Sequence, residues 1–334
     1  MLKAVLLFAL GFALLIKGGD WFVDGASGIA HRFGLPELLI GATVVSIGTT
    51  LPEVMVSATS AVSGHGEIAY GNAIGSIICN TALIAGLTMA FMPSAIDRRQ
   101  LKTPVIFFFI AAVFYAYNAY VTGYFSRTTG IILLALFVIY VVVTVRAALK
   151  EPAVKPEDQV GASADAQDPE DPAAKKDEPM WKLLLMLVIG AAAIAWGADL
   201  LVDNGTIIAT ELGVPESVIA LTFVALGTSL PELITAITAI RKGHNDISVG
   251  NVIGANIFNL VLVSGLSITL SPFAVPSSKM IAGHNASLLV DIPVMFLVML
   301  LMTVPALISG KLKRWQGVLL LCIYAAFCIF QFVS

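Results

Sequence analysis

Long apolar stretches dominate the sequence and restrict the folds that are open to it. A helix that crosses a bilayer needs roughly 20 mostly apolar residues. Ten stretches of this kind are present, at 2–29, 36–63, 68–92, 103–120, 128–149, 180–209, 215–240, 247–270, 286–308 and 315–333. A membrane β-barrel would show shorter segments of alternating hydrophobicity. The sequence therefore predicts an all-α membrane protein with ten transmembrane helices, called helices 1 to 10 below.

Composition supports this prediction. Hydrophobic residues make up 58% of the chain and charged residues only 12%, whereas about a quarter of the residues of a typical soluble domain are charged. The first apolar stretch is longer than the core of a signal peptide and shows no small-residue cleavage site, so we expect helix 1 to be retained.

Lys and Arg are unequally divided between the two sets of connections that ten helices create. Fifteen of the 19 Lys and Arg residues lie in or beside the connections that follow odd-numbered helices. Cytoplasmic loops carry such an excess. We therefore predict that these connections are cytoplasmic and that both termini lie outside. The membrane is predicted to be the plasma membrane, which in a bacterium is the inner membrane.

One long polar segment, 151–179, separates two halves of the chain. It is rich in acidic residues, Pro and Ala and has no apolar periodicity, so it is predicted to be a disordered, acidic cytoplasmic linker. The flanking halves, 1–150 and 180–334, hold five predicted helices each.

The two halves are copies of one unit. At an offset of 179 residues, GATVVSIGTTLPE (41–53) aligns with ALTFVALGTSLPE (220–232), and GNAIGSIICN (71–80) aligns with GNVIGANIFN (250–259). Because each copy has an odd number of helices, the copies must be inverted relative to each other. Inverted repeats are common in secondary transporters, whose substrate sites lie near the middle of the membrane.

Helix 2 concentrates oxygen-bearing side chains on one face. Ser46, Thr49, Thr50 and Glu53 follow a helical spacing. Pro52 lacks an N–H group and is predicted to kink the helix and leave carbonyl groups unpaired. In lipid, such groups are tolerated where they line a cavity or bind an ion.

Helix 7 repeats this design with Ala225, Thr228, Ser229, Pro231 and Glu232. Hard oxygen ligands around two carboxylates suit Ca2+ and Na+ rather than soft metals. A structural role for the two buried acids is the alternative. Helices 2, 3, 7 and 8 carry Lys or Arg only at their ends, so cation binding is the stronger prediction.

Helices 3 and 8 add polar residues at intervals of four. The positions are Asn72, Ser76 and Asn80 in helix 3, and Asn251, Ala255 and Asn259 in helix 8. Asn80 and Asn259 are equivalent in the two copies, and their amide oxygens can bind a cation or orient the carboxylates.

Other acidic residues lie toward the ends of the predicted helices. They are Asp20, Asp24, Asp199, Asp203 and Asp291. We predict interfacial or vestibule positions for these residues rather than direct ligation. Lys17 is predicted to extend toward the interface or to pair locally with Asp20.

The paired segments resemble the alpha repeats of the cation/calcium exchanger superfamily, above all its bacterial and archaeal Na+/Ca2+ exchanger-like members. The alpha-1 motif corresponds to 41–86 and the alpha-2 motif to 220–265. The resemblance implies four ion sites between helices 2, 3, 7 and 8. It also implies that helices 1 and 6 slide across this core to switch access.

The resemblance assigns roles to individual residues. It implies that Glu53 and Glu232 bind Ca2+ together with the backbone carbonyls of Thr49 and Thr228. It also implies that flanking Na+ sites are formed by Ser46 (carbonyl), Thr50, Ser76, Ala225 (carbonyl), Thr228 and Ser229.

The chain departs from the family pattern at two places. Family members often carry an acid at one of the two positions equivalent to Asn80 and Asn259, whereas both are Asn here. This difference weakens the case for a K+-dependent exchanger and removes one proton-binding group. Ala255 replaces a hydroxyl residue that is often seen opposite Ser76, so one Na+ site loses a side-chain ligand.

These observations predict a secondary antiporter, not an enzyme, that exchanges Ca2+ for Na+ by alternating access. No cofactor and no nucleic acid are expected; the partners are the transported Ca2+ and Na+ ions and the lipid bilayer. An H+/Ca2+ exchanger, a K+-dependent Na+/Ca2+ exchanger and a passive cation channel remain alternatives. An intramembrane hydrolase is disfavoured, because the motifs offer no nucleophile–base pair or paired aspartates.

Overall fold

The computed structural model describes residues 2–150, 178–213, 227–277, 280–281 and 283–333. Its helices are α1 Leu2–Phe33, α2 Glu37–Val62, α3 Gly66–Phe91, α4 Arg98–Thr122, α5 Arg127–Lys150, α6 Met180–Glu211, α7 Leu230–Arg241, α8 Asn245–Leu270, α9 Ser287–Ser309 and α10 Arg314–Val333. Two short antiparallel strand pairs join β1 Tyr124–Phe125 to β2 Phe273–Ala274 and β3 Met280–Ile281 to β4 His284–Asn285.

The predicted all-helical membrane fold is confirmed. Within the described residues, nine helices are long and apolar enough to cross a membrane. The tenth, α7, is the described part of predicted helix 7, whose earlier residues 215–226 lie outside the described ranges. The predicted linker 151–179 likewise lies outside them except for its last two residues.

Helix boundaries follow local signals that a hydropathy window misses. Helix α1 continues to Phe33, four residues past the predicted end, and stops where Gly34 adopts a positive φ of 61°. Glycine reaches this left-handed conformation at little cost. Helix α4 begins at Arg98, five residues earlier than predicted, because the Asp97 side chain caps it by accepting a hydrogen bond from the Arg99 N–H at 2.8 Å.

The connections between helices gather at two ends of the bundle. At one end, Ala95 of the α3–α4 connection forms a backbone bridge with Lys311 of the α9–α10 connection. In the other set, Tyr124 between α4 and α5 pairs with Ala274 between α8 and α9. Connections that follow odd-numbered helices therefore pair with each other, and so do those that follow even-numbered helices. A chain that crosses the membrane ten times places the two sets on opposite sides. That the odd set is cytoplasmic remains a prediction.

Helices α1 and α6 form an antiparallel pair whose backbones touch at glycines. A Cβ on Gly11 would lie 2.8 Å from the carbonyl oxygen of Gly197, and a Cβ on Gly18 would lie 3.0 Å from that of Gly190. Real side chains do not approach this closely. Gly11 and Gly190 are equivalent in the two repeats, as are Gly18 and Gly197. The pseudo-symmetry of the inverted repeats therefore relates the Gly11–Gly197 contact to the Gly18–Gly190 contact.

Helices α2, α3, α7 and α8 form the centre of the protein. Helix α8 is the most buried of the described spans and contacts α2 backbone to backbone: a Cβ on Gly41 of α2 would lie 2.5 Å from the Ile247 carbonyl oxygen. Small residues allow such close approach in membrane helices. Helices α4, α5, α9 and α10 pack around this centre. Large buried side chains form the contact, such as Phe108 of α4 and Tyr140 of α5, whose ring lies against that of Phe258 in α8.

Candidate functional site: a buried carboxylate pair between the repeats

Glu53 of α2 and Glu232 of α7 occupy equivalent positions of the two repeats. Both side chains are 0% exposed, and they lie close enough for their charges to interact. Among the described residues, no hydrogen-bond partner with good geometry is found for any of their four carboxylate oxygens. Within the described ranges, neither carboxylate forms an ion pair with Lys, Arg or His. Buried charges are normally paired or bound to a metal ion, so this pair needs a cation or a proton as its counter-charge.

The helices that face the two glutamates are widened at matching positions. A π-helical segment spans Cys79–Ala85 in α3, and another spans Asn259–Val263 in α8. Single π-helical turns inside α-helices occur frequently at functional sites. Each segment contacts the helix that carries the glutamate of the other repeat, so the two repeats interlock around the carboxylates.

These π-helical segments carry Asn80 and Asn259. Both side chains are 0% exposed, and in the described part of the chain neither their amide oxygens nor their amide nitrogens have a hydrogen-bond partner. A buried amide group without partners costs several kcal/mol on most scales, about 2–7. The two repeats thus place polar amide groups at equivalent, completely buried positions.

The hydroxyl groups of α2 divide into two kinds. Ser46 donates to the Gly41 carbonyl at 2.7 Å and is 3.1 Å from the Asn251 carbonyl, and Thr49 donates to the Asn251 side-chain oxygen at 3.1 Å. The Thr50 hydroxyl is buried and has no hydrogen-bond partner with good geometry among the described residues. The Thr49 and Thr50 hydroxyls both lie near the Glu232 carboxyl group. These bonds hold the side chains of Ser46 and Thr49 to α8 and leave the Thr50 hydroxyl available to a ligand.

The second copy of the motif has a different local structure. Pro52 lies inside a helical segment that runs without a break from Ser46 to Val62. Pro231, in contrast, lies in the first turn of α7, which follows a turn at Thr228 and Ser229. Proline is tolerated in the first helical turn, where its missing N–H would have no partner. Of the predicted ligands here, Ser229 is buried and Thr228 half-buried, whereas Ala225 lies outside the described residues.

The remaining predicted ligand, Ser76 of α3, is buried at 4% exposure. On the facing helix, Ala255 is completely buried and supplies no hydroxyl group. The two copies thus differ in the side chains that they present.

Asn251 is a residue of this region that the predicted ligand set omitted. It is 0% exposed and accepts the Thr49 hydrogen bond through its side-chain oxygen, and its amide nitrogen has no partner among the described residues. Its equivalent, Asn72, instead donates to the Glu53 carbonyl at 3.2 Å and to the Ser57 hydroxyl at 2.8 Å. The signal was present in the repeat alignment, where an asparagine recurs at this position in both copies.

This region holds oxygen-bearing side chains of the kind that hard cations prefer as ligands. Carboxylate, amide and hydroxyl side chains of α2, α3, α7 and α8 are buried where the two repeats contact each other. Hard cations such as Ca2+ take six to eight oxygen ligands, and a pair of carboxylates neutralises one divalent ion.

The sequence matches the family described as sodium/calcium exchanger protein over residues 3–146 and 182–333, one match on each side of the linker. The chain belongs to the sodium/calcium exchanger family. Members of this family are transporters, so the protein is a multi-pass membrane transporter and not an enzyme.

Relatives in this family cover nearly the whole chain. The inner membrane protein YrbG of Escherichia coli (strain K12) is 36% identical over 292 residues, 87% of each protein. The sodium/calcium exchanger MaX1 of Methanosarcina acetivorans is 32% identical over 354 residues, 98% of each protein. The putative antiporter CaxA of Alkalimonas amylolytica is 33% identical over 335 residues and covers 100% of this chain.

Solved structures of one exchanger share the fold. The sodium-calcium exchanger NCX_Mj, soaked with 2.5 mM Na+ and 0.1 mM Ca2+, superposes with a TM-score of 0.79 at 31% identity, over 100% of this chain and 99% of that chain. Further structures of NCX_Mj were obtained with Sr2+, for example with 2.5 mM Na+ and 1 mM Sr2+. The predicted architecture of two inverted five-helix repeats is thereby confirmed.

Proposed function

We propose that this exchanger-family protein is a secondary antiporter that moves Ca2+ in exchange for Na+ across the cell membrane by alternating access. The observation that carries the proposal is the pair of buried, unpartnered carboxylates, Glu53 and Glu232, contributed by equivalent positions of inverted repeats. Named Na+/Ca2+ exchangers among its relatives support the choice of ions. A relative in the inner membrane of a bacterium supports a plasma-membrane location.

We propose that Glu53 and Glu232 bind Ca2+ directly, with the backbone carbonyls of Thr49 and Thr228. The flanking Na+ ligands proposed from the family pattern are Ser46, Thr50, Ser76, Ala225, Thr228 and Ser229, with Asn80 and Asn259 binding a cation or orienting the glutamates. The asymmetry between Ser76 and Ala255 predicts that the flanking sites differ in Na+ affinity.

Charge compensation couples the two ion fluxes in this scheme. The carboxylate pair carries two negative charges. One Ca2+ neutralises them in one transport state, and Na+ ions neutralise them when Ca2+ is absent. An uncompensated charge in the membrane interior is costly, so the protein changes access only when one of these ion sets is bound. A passive channel would not require a counter-ion, and inverted repeats are typical of carriers.

The test is 45Ca2+ uptake into proteoliposomes that contain the purified protein. We expect uptake with an outwardly directed Na+ gradient and none with a pH gradient or a K+ gradient alone. Uptake that follows the pH gradient would instead establish an H+/Ca2+ exchanger. A requirement for K+ together with Na+ would establish the K+-dependent alternative, and Ca2+ flux without any counter-ion would establish a channel.

The carboxylates are tested in the same vesicles. We expect Glu53→Gln and Glu232→Gln each to lower Na+-driven uptake at least about 100-fold, because loss of one charge at a completely buried site costs several kcal/mol. Glu67→Gln is the matched control, since Glu67 lies exposed in the first turn of α3. Normal exchange by either buried-site variant would refute their role as ligands.

A further inference from the structure

A lysine from the α7–α8 connection is held between two aspartates of α1. The Lys242 ammonium nitrogen is 2.7 Å from a carboxylate oxygen of Asp24, 3.8 Å from one of Asp20, and 3.4 Å from the Asp20 backbone carbonyl oxygen. The three side chains are only 17–22% exposed. The predicted local pairing of Asp20 with Lys17 does not form among the described ion pairs. Asp20 instead pairs with a residue 222 positions away in the sequence.

A second set of contacts fixes the end of α1 at the same face. His244, which precedes α8, lies 2.8 Å from a carboxylate oxygen of Glu37 at the start of α2. From α1, Ser27 approaches the same ring nitrogen of His244 at 3.5 Å, and His31 lies 3.6 Å from the same Glu37 oxygen. The last turns of α1 are therefore attached to the starts of both α2 and α8.

The backbones are also close at this end. A Cβ on Gly19 of α1 would lie 2.8 Å from the Thr238 hydroxyl of α7 and 3.0 Å from the Ile234 side chain. The helix that bears Asp20 therefore packs directly against the last turns of α7.

The opposite face has the equivalent aspartates but not the lysine. The repeat offset relates Asp20 to Asp199, Asp24 to Asp203 and Lys242 to Ser63. Asp199 and Asp203 are exposed on α6 and are close enough to repel each other. No ion pair to either is present within the described ranges. One of two pseudo-equivalent positions thus holds a lysine between its aspartates, and the other has no positive partner in the described part of the chain.

This difference has a consequence for a protein of inverted repeats. The two faces of an inverted-repeat transporter close in turn during alternating access. The α1–α6 pair packs backbone to backbone, and the resemblance to the exchanger superfamily implies that this pair slides across the remaining helices when access changes. A contact that forms only when one face is closed lowers the free energy of that state alone. The equilibrium between the two states then depends on whether both faces carry equivalent contacts.

We propose that Lys242, Asp20 and Asp24 form a one-sided latch that favours the state closed at the face of the α7–α8 connection. The inference rests on the alternating-access part of the proposed function and not on the identity of the ions. Positive-inside counting predicts that this face is cytoplasmic.

The latch is tested by hydrogen–deuterium exchange of the full-length protein in lipid nanodiscs, without a gradient. In Lys242→Gln we expect the backbone amides of residues 24–33 and 241–245 to exchange about fivefold faster, since a partly exposed ion pair contributes up to about 1 kcal/mol. Asp24→Asn should give the same change. Arg241→Gln is the matched control, because Arg241 is the exposed neighbour of Lys242. The pair of substitutions Lys242→Asp and Asp24→Lys should return exchange toward that of the unmodified protein.

A gain-of-contact variant tests the asymmetry itself. Ser63→Lys supplies the missing positive charge opposite Asp199 and Asp203. We expect the backbone amides of residues 62–66 and 199–211 to exchange more slowly and those of residues 24–33 to exchange faster. The added contact favours the state in which the face of the α2–α3 connection is closed.

Two results would overturn the proposal. The first is equal exchange of residues 24–33 in Lys242→Gln and Arg241→Gln. The second is slower exchange at residues 62–66 in Ser63→Lys without any change at 24–33, which would mean that the two faces are not coupled. Because these measurements need no transported ion, their failure is separable from a failure of Na+-driven Ca2+ uptake.

Discussion

The close contact between α2 and α8 gives a sharp prediction at Gly254. A Cβ added there would lie 2.6 Å from the Ala42 Cα and 2.7 Å from the Ala42 carbonyl oxygen, and closer still to the Ser46 hydroxyl. Ordinary contacts of a Cβ begin near 3.4 Å. Gly254→Ala therefore forces the two backbones apart by about 0.8 Å, the difference between 3.4 and 2.6 Å, because neither Ala42 atom can rotate away.

The magnitude follows from two opposing effects. Overpacking of a tight core costs about 1–3 kcal/mol, and a clash with backbone belongs at the upper end of this range. Replacing Gly by Ala inside a helix recovers about 1 kcal/mol of helix propensity. We expect a net loss of about 2 kcal/mol and, at 2–4 °C per kcal/mol, a midpoint of thermal unfolding lower by roughly 4–8 °C.

The assay is thermal unfolding in detergent at one fixed scan rate, with exchange measured in parallel. Separation of α2 from α8 should also weaken the bonds from Ser46 and Thr49 to Asn251, so we expect slower Na+-driven Ca2+ uptake. Gly86→Ala is the matched control, since a Cβ there would meet its nearest neighbours at 3.3–3.4 Å. An unfolding midpoint of Gly254→Ala equal to that of Gly86→Ala would refute the reasoning.

Two further predictions concern buried hydrogen bonds around the site. Thr49→Val and Asn251→Ala should each destabilise the protein. A double-mutant cycle between them should show a coupling energy of about 1 kcal/mol, because both substitutions remove the same hydrogen bond of 3.1 Å. Additive changes in the free energy of unfolding would contradict that bond. Tyr140→Phe should lower the free energy of unfolding, measured by chemical denaturation, by about 1 kcal/mol. The substitution removes the buried hydroxyl group that donates to the Ala42 carbonyl at 3.1 Å. Unchanged stability would show that the carbonyl does not depend on this donor.

The sequence predicted the architecture because lipid leaves few alternatives. Stretches of about 20 apolar residues must form helices that satisfy their own backbone groups. The nine described helices that are long enough to span a membrane begin and end within a few residues of the predicted stretches. Glu53 and Glu232 were also identifiable, since a carboxylate inside a membrane span is rarely without function. Their ligand roles remain a proposal.

The partners of individual polar residues were not predictable, because they depend on contacts between helices. Asn72 and Asn251 are equivalent in sequence, yet only Asn72 bonds to a serine of its own repeat, Ser57. The position equivalent to Ser57 is Ala236, which offers no hydroxyl group. Asn251 therefore accepts its hydrogen bond from the other repeat, which is a consequence of how α8 packs on α2.

The sequence by itself determined the membrane class, the two inverted copies and the oxygen-rich face of each motif, because these depend on local composition and on periodicity along one helix. Only the tertiary structure decided that α1 and α6 meet at paired glycines and that α8 lies against α2. It also decided that Lys242 pairs with Asp20 and Asp24. Such contacts join residues far apart in sequence, and their register is set by how closely two backbones can approach.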